Sequence, residues 1–144
     1  MLITKAIVQD LPEVLKLLQL LDLPIEGVKE HFQHFFILRE DEMVVGCIGV
    51  EIYDNTGLLR SIGIHPSYQG KGFGQQMVSR LEEFSSEKEL NSLYLLTETA
   101  EKFFLNLGYK YVSREEVDPN IKQSIEFTKL CPSSPVMVKL FSSK

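Results

Sequence analysis

The spacing of apolar and polar positions along the 144-residue chain switches repeatedly between a period of two and a period near 3.6. Residues 2–8 read as a short strand. Asp10-Leu11-Pro12 follows, an aspartate able to cap a helix and a proline suited to a first turn. Val14, Leu15, Leu17, Leu18 and Leu21 then repeat as the buried stripe of a helix that Asp22-Leu23-Pro24 ends. A second short helix is expected over residues 25–34. Phe35 to Arg39 and Met43 to Tyr53 read as strands around the charged turn Glu40-Asp41-Glu42, and Asp54-Asn55-Thr56-Gly57 turns the chain into a third, Leu58 to Ile64. From Phe73 onward, Met77, Leu81 and Phe84 share one helical face. Ser92 to Thr97 is a strand, Ala100 to Leu107 a helix stopped at Gly108, and Tyr109 to Val112 a strand. Pro119 to Leu130 is expected to be an amphipathic helix with Ile121, Ile125 and Phe127 inward, and Pro135 to Phe141 a last strand. This order predicts an α/β (α+β) fold: one mixed, largely antiparallel sheet of six to seven strands flanked by about four helices.

Length and composition narrow the class. With 44% hydrophobic residues, the chain can bury one core without cross-links, so a single domain over residues 1–144 is expected. The net charge is −5 and the basic residues do not cluster, which argues against nucleic acid as a partner. Cys47 and Cys131 match no Cys/His ligand spacing, and His31, His34 and His65 are scattered, so no metal site is expected. The first two histidines read as helix-surface residues and His65 as a turn residue. Cys131 reads as a buried thiol, with lining of an acceptor pocket as the alternative. No apolar run approaches the roughly 18 residues of a membrane span, and the N-terminus lacks the order of a signal peptide. A cytoplasmic protein, monomer or homodimer, is the expectation.

The chemistry concentrates in Gln69-Gly70-Lys71-Gly72-Phe73-Gly74, between a strand and a helix. Glycines there allow left-handed backbone, expose N–H groups and let an anion approach the positive end of the helix. Lys71 is followed by Gly72 and not by Ser or Thr, which excludes the P-loop; Gln75 stands where the dinucleotide fingerprint needs glycine. A connector that only packs the helix on the sheet is the plain alternative.

The turn resembles the signature of the GNAT N-acetyltransferases, Gln/Arg-x-x-Gly-x-Gly/Ala after a strand, with Gln69, Gly72 and Gly74 at those places. Ala100-Glu101-Lys102-Phe103-Phe104 with Gly108-Tyr109 resembles that family's Ala-x-x-Phe-Tyr helix and its closing Gly-Phe. Leu58-Leu59-Arg60-Ser61, Thr99 to Phe104 and Leu130-Cys131-Pro132-Ser133-Ser134 resemble its arsenic-resistance subgroup.

The resemblance implies a pair of splayed parallel strands, ending at Ile64 and Thr97, that admit the pantetheine arm of acetyl-CoA as donor co-substrate. It places Ile62, Gly63 and Ile64 along that arm, Gln69, Gly70, Lys71, Gly72, Phe73, Gly74 and Gln75 around the pyrophosphate, and Thr97 where the family often has an arm-binding Asn. Removing the amine's proton needs a base, for which Glu51 and Glu98 are the candidates, each with a solvated-face alternative. Arg60 and Ser61 are the candidate acceptor-binding residues; pairing of Arg60 with Glu51 and simple packing of Ser61 are the alternatives. Phe104 departs from the family by standing where a Tyr would protonate the leaving thiolate, which leaves water, Tyr109 or Tyr111 for that step. The function implied is acetyl transfer to the primary amine of a small molecule, an amino acid or an analogue of one such as an organoarsenical. A non-catalytic acyl-CoA sensor and a peptide N-terminal acetyltransferase are the alternatives.

Overall fold

The computed structural model describes residues 2–124, 127–128 and 133–141. Among them the strands are β1 (Leu2–Lys5), β2 (Phe35–Glu40), β3 (Met43–Tyr53), β4 (Thr56–Ile64), β5 (Ser92–Leu96), β6 (Lys110–Val112) and β7 (Val136–Leu140). The helices are α1 (Leu11–Leu20), α2 (Val28–His31), α3 (Phe73–Glu87), α4 (Glu101–Asn106) and α5 (Pro119–Lys122). The strands form one mixed sheet in the order β1-β2-β3-β4-β5-β7-β6, as the α/β expectation required. β1 pairs with β2, β2 with β3, and β7 with both β5 and β6 in antiparallel fashion. β4 and β5 are parallel, with Thr56 opposite Ser92 and Leu58 opposite Tyr94.

The residues divide into two compact units interleaved in sequence, 1–51 with 60–83 and 52–59 with 84–144. In the first, Val14, Leu17 and Leu18 of α1 pack with Val28, Phe32, Phe35, Ile37, Val44 and Cys47. The apolar stripe of α1 supplies this core; Lys16 and Gln19 are exposed, while Glu13 at the edge of the stripe is half-buried and accepts from the Val44 N–H at 3.3 Å. In the second, Leu58, Val117, Ile121 and Val136 form the buried cluster, with Tyr94, Leu96 and Phe127 against it.

Several local expectations shift for identifiable reasons. Asp10 does not cap α1: residues Val8–Asp10 form a 3-10 turn, so Asp10 is already helical, with φ −81° and ψ −13°. Its carboxylate reaches backward to the Ile7 N–H (2.9 Å) and sideways to Arg39. The first strand stops at Lys5 for the same reason. The helix expected over 25–34 divides into α2, which starts after Gly27 at φ 84°, and a 3-10 turn over Phe32–His34. The helix begun at Pro119 is α5, four residues long; Ile125, Leu130 and Cys131 lie outside the described residues.

Phe35 faces Gly49 across the β2–β3 ladder, and its ring occupies the space where a Cβ on Gly49 would fall, 2.2 Å from Cε1. Phe35 is fully buried and cannot swing away without opening the core. Gly49→Ala is therefore expected to cost about 1–3 kcal/mol, the usual range for overpacking. A thermal melt at the wild-type midpoint would contradict this packing.

Candidate functional site

β4 carries the site. Its first residues pair regularly, but Ser61 sits at φ 59°, a left-handed conformation in the middle of a strand. For a residue with a Cβ this conformation costs about 1–2 kcal/mol, and it turns the Ser61 carbonyl out of regular alternation. The Cys47 thiol donates to that carbonyl at 3.2 Å. Burial pushes the Cys47 thiol up from 9.0 to about 12, against an opposing hydrogen bond from the Gly63 backbone. The thiol thus acts as a neutral filler between two peptide groups of the distorted strand.

Just before the distortion, Arg60 is buried with each of its three guanidinium nitrogens hydrogen-bonded. Nη1 donates to Glu51 Oε2 at 2.6 Å, Nη2 to the Glu26 carbonyl at 2.7 Å and Nε to Ser61 Oγ at 3.0 Å. The Glu51 side chain is 1% exposed, and its Oε1 lies 3.6 Å from His31 Nε2, whose ring is 28% exposed. Arg60, Ser61 and Glu51 are thus brought together, and the arginine takes the pairing role weighed as the alternative to acceptor binding. The sequence places His31 on a helix surface; twenty positions separate it from Glu51, and no spacing signal joins them.

Beyond Ser61, Gly63 is buried beneath the segment that follows α1. A Cβ on Gly63 would fall 2.6 Å from Leu21 Cδ1 and 3.5 Å from Leu23 Cδ1. The bond from Arg60 to Glu26 fastens the same segment farther along, so residues 21–26 are held on β4 at two places.

The glycine turn follows. After Ile64, a 3-10 turn over Pro66–Tyr68 is capped by His65, whose Nδ1 accepts from the Ser67 N–H at 3.1 Å. Gln69 Nε2 donates to the Ile64 carbonyl at 2.8 Å, tying the turn back to the strand end. Gly70 and Gly72 have φ 77° and 85°, and a Cβ on either would meet no atom within 4 Å. Their glycines answer to conformation alone, not to crowding. Gln69, Gly70, Lys71, Gly72 and Gln75 are exposed, and Phe73 and Gly74 half-buried. The first bond into α3 runs from the Gln76 N–H to the Gly72 carbonyl, and among the described residues the N–H groups from Gly70 to Gln75 have no acceptor. A run of unmet donors at the start of a 15-residue helix is an anion-binding arrangement.

The second unit holds the remaining candidates. Thr97 Oγ1 accepts from the Ala100 N–H at 3.0 Å, which leaves its hydroxyl proton for donation. Glu98 is exposed. Phe104 is buried against the rings of Phe103 and Tyr109, at 5.0 and 5.3 Å between centroids. Tyr111 is exposed and donates to Glu101 Oε2 at 3.0 Å, a bond that raises its pKa and makes it a poorer acid. Among the described residues no group of three or more His, Cys, Asp or Glu is placed to hold a metal, and no helix is long and apolar enough to cross a membrane.

Residues 31–111 match the model of the acetyltransferase (GNAT) domain, and since this is more than half of the chain, the protein belongs to the GNAT family. An uncharacterized N-acetyltransferase of Chlorobaculum tepidum is 29% identical over 63% of this chain and 59% of its own length. The amino-acid acetyltransferase of Mycobacterium tuberculosis is 24% identical over 96% of this chain and 82% of its own. In fold, the chain resembles N-acetylglutamate synthase from Neisseria gonorrhoeae, solved with coenzyme A and N-acetyl-glutamate. The TM-score is 0.86 at 18% identity over 98% of this chain and 35% of the synthase. The chain therefore spans about three fifths of the Chlorobaculum relative and about a third of the synthase.

Two outcomes follow from this geometry. Removing one member of the buried pair by Arg60→Met is expected to destabilise the protein by about 3–5 kcal/mol, because it strands a buried carboxylate. Replacing Glu51 and Arg60 together by Met is expected to cost less than Arg60→Met alone; denaturant unfolding of the two variants measures the difference, and additive losses would contradict the pairing. Separately, iodoacetamide at pH 8 is expected to leave Cys47 unlabelled in the native protein and to label it after denaturation. Peptide mass mapping reads the result, and rapid native labelling would contradict the neutral, buried thiol.

Proposed function

We propose that the protein is an acetyl-CoA-dependent N-acetyltransferase whose acceptor is the primary amine of an amino acid or a close analogue. The observation that carries this reading is the run of N–H groups from Gly70 to Gln75 without an acceptor among the described residues, at the head of α3, in a chain of the GNAT family. Those donors suit the diphosphate of coenzyme A, with Lys71 adding a cation. Ile62, Gly63 and Ile64 offer main-chain groups to the amide-bearing arm in the manner of an added strand. A backbone N–H near Ile62, in the stretch re-aimed by Ser61, polarises the thioester carbonyl.

With the donor so held, the neutral amine attacks the thioester carbon. The tetrahedral intermediate then collapses and expels the coenzyme A thiolate. The amine's proton leaves at the cluster built on Glu51, whose carboxylate is itself committed to Arg60, or at Glu98 in solvent. Phe104 cannot protonate the thiolate, and Tyr111 is held by Glu101. A thiolate is a tolerable leaving group near neutral pH, so water suffices for that proton.

The amino-acid acceptor is supported by the relatives from Mycobacterium tuberculosis and Vibrio atlanticus, both amino-acid acetyltransferases, and by the ligands of the Neisseria synthase. An organoarsenical analogue is the narrower reading. It rests on the Leu58 to Ser61, Thr99 to Phe104 and Leu130 to Ser134 segments, and in the last of these Leu130, Cys131 and Pro132 lie outside the described residues.

Incubation with acetyl-CoA and a panel of α-amino acids, peptides and one arsenical amino-acid analogue tests the proposal by coenzyme A release and by the mass of the product. Turnover is expected with α-amino acids. Gly72→Ala, which must hold an L residue at φ 85°, is expected to raise the KM for acetyl-CoA about tenfold, some 1.4 kcal/mol. Tight coenzyme A binding with no acetylated product from any primary amine would leave only the acyl-CoA sensor reading standing.

A further inference from the structure

We propose that His31 is the group that takes the proton from the acceptor amine, with Glu51 as its positioning carboxylate and Arg60 as the fixed counter-charge that holds Glu51. The inference rests on the N-acetyltransferase reading above and deepens it. Its starting point is the difference in exposure within one cluster: the Glu51 side chain is 1% exposed, Arg60 also 1%, and His31 28%. An amine arriving from solvent meets the imidazole before it meets the carboxylate.

The electrostatic arrangement favours the same order of events. Glu51 directs one oxygen at Arg60 Nη1, 2.6 Å away, and the other towards His31 Nε2, 3.6 Å away. Protonating Glu51 would leave Arg60 as a buried cation facing a neutral acid, a penalty of the kind that makes broken buried pairs costly. Protonating His31 instead creates an imidazolium beside an existing carboxylate, at a ring still partly in water. Imidazole is also the side chain whose ordinary titration falls in the neutral range, where a base must be unprotonated yet able to accept. The charged groups on the elements that carry or meet the ring are Glu51 on β3, 3.6 Å from Nε2, its partner Arg60 on β4, Lys29 and Glu30 in α2, and Glu26 shortly before α2.

The cluster is also joined to the strand that binds the donor. Arg60 Nε reaches Ser61 Oγ, and Ser61 is the residue whose φ of 59° re-aims the backbone at Ile62. Arg60 Nη2 holds the Glu26 carbonyl, one residue before Gly27, after which α2 starts, so the arginine fixes the base of the short helix that ends at His31. One buried cation therefore sets both the strand and the helix end.

The step balances as follows. The acceptor arrives as an ammonium ion and gives one proton to His31. The freed lone pair forms the N–C bond while the thioester π electrons move to oxygen. On collapse the C–S bond breaks with its electron pair going to sulfur, and the second nitrogen proton passes through water to the thiolate. His31 then releases its proton to solvent.

His31→Gln and Glu51→Gln in the full chain, each assayed over pH 5.5–9.5 with coenzyme A affinity measured by calorimetry, test the assignment. His31→Gln is expected to lower kcat about 100-fold or more with unchanged coenzyme A affinity, to remove the acid limb of the pH–rate profile, and to regain activity with added imidazole in the His31→Ala variant. Glu51→Gln is expected to retain a limb displaced to lower pH, since the imidazolium loses its carboxylate; a role that is only structural would not move the limb. A His31→Gln enzyme within threefold of wild type, with the same pH profile, overturns the proposal while leaving the acetyltransferase reading intact. Absence of wild-type turnover with every amine, by contrast, overturns both.

Discussion

The ion pair of Glu51 with Arg60 is the constraint around which the first unit is arranged. Two opposite charges held at 2.6 Å with almost no water are costly to bring together and more costly to separate. The other two guanidinium nitrogens therefore also need acceptors, and those acceptors are informative. One is the Glu26 carbonyl, which anchors the connection between α1 and α2; the other is the hydroxyl of Ser61, at the distortion of β4. An apolar pair of similar volume would pack the sheet without strain. It would not tie a loop, a strand distortion and a histidine to a single point.

The distortion at Ser61 shows how a strand can serve two purposes. Residues Thr56 to Leu58 keep parallel register with β5, whereas Ser61 leaves the regular backbone and Gly63 lets Leu21 and Leu23 lie directly on the chain. Cys47 sits under this stretch as a neutral thiol, large enough to fill the space and polar enough to satisfy a turned carbonyl. A charged group there would need a partner, and a purely apolar one would remove the bond that the Ser61 carbonyl receives from the thiol.

Much of this was legible in the sequence, and the parts that were not share a physical cause. The glycine turn, the start of α3 and the strands on either side were readable because they depend on local spacing and on residues with special backbone freedom. The seven strands follow from alternation, which also acts at short range. The function of Asp10 was misread because a 3-10 turn intervenes, and its real partners, Ile7 and Arg39, compete with capping. The left-handed Ser61 carried no signal, since serine tolerates that conformation without requiring it. The position of His31 beside Glu51 depends on how α2 is placed, and that is decided by Arg60 on a distant strand. Contacts between residues far apart in sequence have no periodicity to betray them.

Gly70 and Gly72 add a different kind of consequence. Each has a left-handed φ, and each would have open space in place of a side chain. The surface of the turn at these two positions is thus composed of peptide groups, and what its conformation asks of them is the absence of a Cβ. Exposed neighbours such as Lys71 and Gln75 are free to vary without redrawing its outline. A surface written in the main chain is robust to most substitutions around it and vulnerable at very few, so its outline stands or falls with Gly70 and Gly72 while the residues around them drift.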